Sequence, residues 1–209
     1  MEPLRNIMRY LSGVVYAPVL HWQYGGLMLT PNMGNAPCLD GVVWAADNGC
    51  FTANFSEAKW LSFLERWQGH GYCLFAVAPD VPFDMAATLE RSLPFLPRIR
   101  ALGYPAALAI QNGVQHVALP WDEFDAVFVA GDKAFKTGRI ARNVCEEAKA
   151  QGKHIHIARR NSAKALQEAQ GMGADTADGT FLRFGPDKNW PRMQWWFTQL
   201  QPHTQMELW

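Results

Sequence analysis

Short runs of apolar or small residues alternate along the chain with polar stretches of helical period. Eight runs stand out: 13–17 (GVVYA), 26–30 (GLMLT), 42–46 (VVWAA), 72–78 (YCLFAVA), 106–110 (AALAI), 126–130 (AVFVA), 154–158 (HIHIA) and 174–178 (ADTAD). Most are apolar at successive positions, which is the pattern of strands covered on both faces, as in a parallel sheet. Between the later runs lie helical segments. Residues 56–68 bring Trp60, Leu61, Leu64 and Trp67 to helical spacing behind Ser56, a residue type that caps helix N-termini. Further helices are predicted over 84–102, 139–151 and 161–171, the last opened by Asn161 and Ser162 and closed by Gly171 or Gly173. The tail from Trp190 (WPRMQWWFTQLQ) reads as a closing helix whose tryptophans pack on the sheet.

Alternation of strand and helix predicts an α/β fold with a parallel sheet. Eight strands in one sheet suggest an abbreviated (β/α)8, TIM-like barrel forming a single domain over residues 1–209, since the first connections are too short for helices. An open doubly wound sheet is the alternative. Hydrophobic residues make up 49% of the chain, enough for a full core. No apolar stretch approaches the roughly 20 residues that span a bilayer, and MEPLRNIMRY has no apolar segment of the kind that follows a basic start in a secretion signal. A cytoplasmic protein without a membrane partner is expected. Cys38, Cys50, Cys73 and Cys145 are widely spaced and form no Cys/His cluster, so reduced thiols, no metal site and no cofactor are expected.

The formal net charge of zero conceals an uneven distribution. Residues 1–131 hold 7 Lys/Arg against 11 Asp/Glu, whereas 132–164 hold 9 against 3. Lys136, Arg139, Arg142, Arg159 and Arg160 belong to this basic segment, and His154 and His156 add to it when protonated. Two readings stand: a solvated helix face, or a patch that contacts nucleic-acid phosphates.

Polar residues recur at the C-terminal ends of the predicted strands. Asp47 follows 42–46, Asp80 follows 72–78, Gln111 ends 106–110, Gly131 ends 126–130, Arg159 and Arg160 follow 154–158, and Asp178 ends 174–178. Each alone is compatible with a turn. In a barrel, however, these ends converge on one mouth, where the chemistry of this architecture sits. One carboxylate there can attack an anomeric carbon and hold the sugar as an ester while a second manages the proton of the departing group. A third carboxylate with a glutamine side chain and a backbone N–H complements a purine edge. This set fits exchange or removal of a base at a ribose or deoxyribose, and Gly179 after Asp178 would leave room for the sugar.

These residues resemble those of the tRNA-guanine transglycosylase superfamily. ADNGCF (46–51) is similar to its Asp-Ser-Gly-Gly-Phe motif and AIQNG (109–113) to its Val-Gln-Gly-Gly motif. VAPDVPFD (77–84) stands in the place of its base-recognising aspartate, FVAGD (128–132) in that of its glycine-rich turn, and GADTADGTFL (173–182) in that of the Gly-Ile-Asp-x-Phe-Asp segment with the nucleophile. Residues 154–193 also resemble small bacteriophage relatives that exchange guanine for 7-deazaguanines, preQ0-like bases, in DNA. The resemblance implies Asp178 as nucleophile and Asp47 as the acid/base or pocket aspartate. Asp80, Gln111, Gly131 and Asn48 become base-binding groups, DNA or RNA the polymer partner, and a host cytoplasm the location if the gene is a phage's. Cys50 and Asn112-Gly113 depart from the family's glycines, and the Cys/His zinc site of the tRNA enzymes has no counterpart here. A barrel enzyme acting on free nucleosides or small phosphorylated molecules, and an inactive binding subunit of the same fold, are the alternatives from other classes.

Overall fold

The computed structural model describes residues 8–33, 38–51 and 55–200. Residues 1–7, within the stretch read for a secretion signal, and Gln201, the last residue of the predicted closing helix, lie outside those described. Eight parallel strands close into a barrel in sequence order: β1 (Arg9–Ser12), β2 (Gly25–Leu29), β3 (Val43–Ala46), β4 (Tyr72–Val77), β5 (Ala106–Ile110), β6 (Ala126–Val129), β7 (His154–Ile157) and β8 (Thr176–Gly179). Closure occurs between β1 and β8, with Leu11 opposite Asp178 and Ser12 opposite Gly179.

Strand alternation sorts the core into two layers. Leu11, Met28, Ala45, Phe75, Val77, Ala107, Ala109, Ala126, Phe128 and Ala158 form the inner cluster. Five alanines in that set leave space for the rings of Phe75 and Phe128, whose centroids are 6.3 Å apart. The alternate positions, among them Tyr10, Leu27, Trp44, Leu108, Val127, Ile155 and Ile157, belong to the larger layer beneath the helices.

Seven of the eight predicted strands occur within two residues of their expected bounds. The first does not: residues 13–17 lead into a four-residue helix, α1 (Ala17–Leu20), and the strand is the preceding RYLS. Pro18 in the first turn, with φ already suited to a helix, favours that start. Arg9 and Ser12 hid the strand because its polar ends lie at the barrel rims, where the Arg9 guanidinium donates to the Gly25 carbonyl (3.3 Å) and the Ser12 hydroxyl to that of Val14 (2.9 Å).

No helix joins β2 to β3 among the described residues. The helix α2 (Glu57–Trp67) precedes β4, capped by Ser56 as predicted. The segment 84–102 is two helices, α3 (Met85–Ser92) and α4 (Leu96–Ala101), because Pro94 and Pro97 cannot continue the first. Two single 3-10 turns, Val114–His116 and Trp121–Glu123, connect β5 to β6. Next come α5 (Lys133–Thr137), which sequence reading passed over, α6 (Arg139–Ala150), α7 (Ala163–Gly171) and α8 (Pro186–Thr198). No described helix is long and apolar enough to cross a membrane.

The closing helix α8 covers the side where the early connections are short. Phe197 and Trp190 sit edge-on to Trp22 at 4.5 and 5.1 Å between ring centroids, and Phe197 stacks with Tyr24 at 5.9 Å. Trp196 is buried, whereas Trp195 points outward. Phe197→Ala should therefore cost about 3 kcal/mol, read as a lower midpoint in urea unfolding. A loss below about 0.5 kcal/mol, the range of ordinary surface changes, would mean that α8 does not brace the barrel.

Candidate active site

Three strands contribute one hydrogen-bonded network at the C-terminal rim. Asp47 turns the chain out of β3, its carboxylate accepting the Gly49 N–H (3.0 Å). Asn48 donates to the Ala78 carbonyl (2.7 Å) and to Asp80 (2.9 Å), and accepts from the Cys50 N–H (2.7 Å). With both its amide nitrogen and oxygen engaged in the protein, Asn48 holds Asp80 in place. Gln111 donates to the other Asp80 oxygen (2.6 Å) and accepts the Phe83 N–H (3.0 Å). Each Asp80 oxygen keeps a lone pair for a ligand. Beside them Gly131 adopts φ +74°, and a Cβ there would come within 2.6 Å of the Phe135 ring and 2.8 Å of the Asn112 side chain. That residue must be glycine for two separate reasons.

Asp178 projects from β8 on the opposite side. One of its oxygens accepts from Nε2 of His156 (3.1 Å) and from the Arg159 N–H (2.8 Å). Behind His156 runs a polar line through the barrel: its Nδ1 meets the Thr176 hydroxyl (2.9 Å), which also meets Nε2 of His154 (2.9 Å). The line joins both imidazoles through Thr176 to Asp178, with the donor and acceptor roles along it set by the ring tautomers. His156 is fully buried and stacks on Phe128, centroids 4.7 Å apart and rings 11° from parallel. In the sequence pattern these histidines count only towards the charge of the basic segment. Their signal was the alternation in HIHI, which puts both imidazoles on one face of β7 and both isoleucines on the other.

Gly179 does not make room for substrate as expected. A Cβ there would collide with the Asn161 side chain, the Tyr10 hydroxyl and the Arg160 carbonyl, so its small size serves packing around Asp178.

The two mouth carboxylates are driven apart in acidity. Burial pushes Asp47 up to about 6, the charges of Asp178 and Asp80 add to this, and the Gly49 N–H and Arg159 oppose it. Burial also pushes Asp178 up, but His156, the Arg159 N–H and Lys136 outweigh it, leaving that carboxyl below its ordinary value. Burial raises Asp80 despite the hydrogen bonds from Asn48 and Gln111. Oppositely tuned groups of this kind are what acid/base and nucleophilic roles require.

Asp47, Asn48, Asp80, Gln111, Gly131, Lys136, Arg159 and Asp178 all line one cavity, with Phe128 and Val77 also in its lining. Exposed Phe51 and Phe83 stand at this opening, 6.2 Å apart, and the Arg159 guanidinium lies 3.5 Å from the Phe51 centroid. Phe83 and Arg159 are the only described non-glycine residues with positive φ, at 68° and 61°. Both residues belong to the lining of the cavity.

The basic segment divides. Lys136 and Arg159 line the cavity, and with Arg160, Lys133 and Lys164 they line an adjoining cleft. Arg139 and Arg142, on the first turns of α6, line neither, with Arg139 exposed and Arg142 half-buried. Among the described residues no group of three or more His, Cys, Asp or Glu is placed to hold a metal ion. No family model matches the chain, and no curated protein matches it.

The acidity of Asp47 has a measurable consequence. Its folded value lies above its unfolded one, so its contribution to stability is fully present below pH about 4 and is lost as pH rises through about 6. At pH 7 the ionised group is a cost. Asp47→Asn should raise the unfolding free energy at pH 7 by roughly 1–3 kcal/mol and give no gain at pH 3.5. An equal effect at both pH values would remove ionisation as the cause.

Proposed function

We propose that the protein is a base-exchange transglycosylase that replaces guanine in DNA by a 7-deazaguanine through a covalent aspartyl-glycosyl intermediate. The observation that carries this reading is the opposite tuning of Asp178 and Asp47 across one cavity. The resemblance of the surrounding motifs to guanine transglycosylases supports it.

In the first half-reaction an Asp178 oxygen attacks C1′ as the C1′–N9 bond breaks, and the bonding pair leaves with the base. The His156 and Arg159 N–H bonds keep the carboxylate ionised and aimed before attack. Asp47, close to half protonated near pH 6, supplies the proton that the departing guanine needs. In the second half-reaction the Asp47 carboxylate takes the N9 proton of the incoming base, whose nitrogen attacks C1′ and frees Asp178. Protons and bonds balance over the cycle, and no oxidant or metal enters it.

Recognition of guanine falls to Asp80, whose remaining lone pairs suit the N1–H and N2–H donors, and to the free amide hydrogen of Gln111 with the Gly131 backbone, which suit O6. Asn48 acts one step back, by fixing Asp80. Phe51 and Phe83 supply flat apolar surfaces for a base leaving its stack.

Asp178→Asn should abolish the covalent adduct formed with substrate in the absence of incoming base, leaving the fold intact. Asp47→Asn should instead lower turnover and, in the first half-reaction, where Asp47 acts as the acid, remove the fall in rate as pH rises through about 6. Peptide mass spectrometry of the trapped complex locates the adduct; its presence on another residue would take the nucleophilic role from Asp178. The cavity is also reachable only by an extruded nucleotide, at a cost of a few kcal/mol in a duplex. Single-stranded or mismatched DNA should therefore react faster than perfect duplex when chemistry is limiting, as single-turnover rates on matched substrates would reveal.

A further inference from the structure

Lys136 as a residue is only 6% exposed, its ammonium nitrogen keeps a small opening to solvent, and it has no hydrogen-bond or ion-pair partner among the described residues. Buried cations are normally paired, since removal from water is costly and only an anion in good geometry compensates. Here the charged neighbours largely make matters worse. Burial first, then Arg160 and Arg159, push the Lys136 ammonium down to about 8, while Asp178 and Asp132 only partly offset them. Asp132 is committed elsewhere, accepting from the Phe135 N–H (2.8 Å) and from Asn112 (2.8 Å). Asp178 is already held by His156 and Arg159.

The surroundings indicate what is missing. Lys136 belongs to the lining of two spaces, the cavity containing Asp178 and the adjoining cleft. In that cleft it joins Lys133, Arg159, Arg160 and Lys164, five cations against the single carboxylate of Glu168. Glu168 reaches only Arg160, at 3.6 Å, longer than the 2.7–2.9 Å of a strong charged hydrogen bond. Thr137, Ser162, the N-cap of the nine-residue helix α7, and Ala165 in its first turn complete the wall, and α7 brings the positive end of its dipole to the same place.

We infer that this cleft is a phosphate subsite, in which Lys136 pairs with a phosphate carried by the same nucleotide whose sugar sits at Asp178. The inference rests on the proposed reading only for the placement of the sugar. It makes the smallest recognised unit a nucleotide rather than a nucleoside. The phosphate is either a backbone phosphodiester or the monoester of a free nucleotide, two sources that present the same oxygens to Lys136, Arg160 and the α7 terminus.

The full-length protein is titrated with inorganic phosphate against chloride at matched ionic strength, following the melting temperature. Binding of deoxyguanosine, deoxyguanosine 5′-monophosphate and a short guanine-containing single strand is then compared by calorimetry. Phosphate should raise the melting temperature of the wild type. Both phosphorylated ligands, or one of them, should bind at least tenfold more tightly than the nucleoside, the oligonucleotide leading if the source is a phosphodiester and the mononucleotide if it is a monoester. Lys136→Met keeps the stem and removes the charge; it should melt higher than the wild type in chloride, lose the phosphate response and lose that tenfold preference. Lys136→Gln repeats the comparison if the methionine variant does not fold.

A wild type indifferent to phosphate, or equal affinity for nucleoside and phosphorylated ligands, overturns the subsite without reference to any variant. So does a bond between Lys136 and sugar captured by borohydride, which would make this amine a nucleophile. A Lys136-dependent phosphate response without an adduct on Asp178 supports the subsite and removes the transglycosylase reading. An Asp178 adduct with unaltered phosphate binding in Lys136→Met does the reverse.

Discussion

Closure of the sheet between β1 and β8 is the constraint on which the site depends. Setting Leu11 opposite Asp178 brings the last strand beside the first and turns eight separate strand ends into one ring. Asp47, Asp80, Gln111 and Asp178 come from four strands spread over 132 positions of sequence, and only a closed barrel brings their side chains to one cavity. The barrel does this with few helices. Where outer helices are short or absent, α8 supplies an aromatic cover through Trp190, Trp196 and Phe197.

The barrel interior is divided in polarity. Alanines from β3, β5 and β6 and the rings of Phe75 and Phe128 fill one part, whereas β7 and β8 turn two histidines, a threonine and an aspartate inward. Buried polar groups are tolerated when bonded, and here each bonds to the next. The line from His154 to Asp178 thereby joins packing to chemistry. Burial pushes the pKa of His154 well below its ordinary value, with Asp175 opposing that effect and His156 adding to it, so the inner imidazole is held neutral within this line. The outer imidazole is left to orient the carboxylate at the mouth.

Charge at the rim follows a second arrangement. The acidic groups point into the cavity, while Lys136, Arg159 and Arg160 stand between it and the neighbouring cleft. Arg159 serves both sides: its backbone N–H orients Asp178, its left-handed conformation turns the side chain outward, and its guanidinium lies over Phe51. The result is an acidic pocket beside a basic cleft, with Lys136 and Arg159 in the lining of both.

The eight-strand α/β fold and most of the mouth were legible in the sequence, because buried parallel strands are apolar at successive positions and chain order alone decides which residues follow their C-terminal ends. Asp47, Asp80, Gln111, Gly131 and Asp178 were found in that way. The first strand was not, since RYLS is short and polar at both ends, and neither was the break between α3 and α4, where the prolines outweigh continuous helical spacing. What only the tertiary structure decided are relations across the barrel. His156 reads as a polar residue in a basic segment until β7 is placed beside β8. Asn48 reads as a turn residue until its amide is seen to tie Asp80 to the Ala78 carbonyl. Lys136 reads as one charge among nine until burial leaves it without a partner. Each of these depends on distance and solvent exclusion between residues remote in the chain, quantities that a local pattern of residue types does not contain.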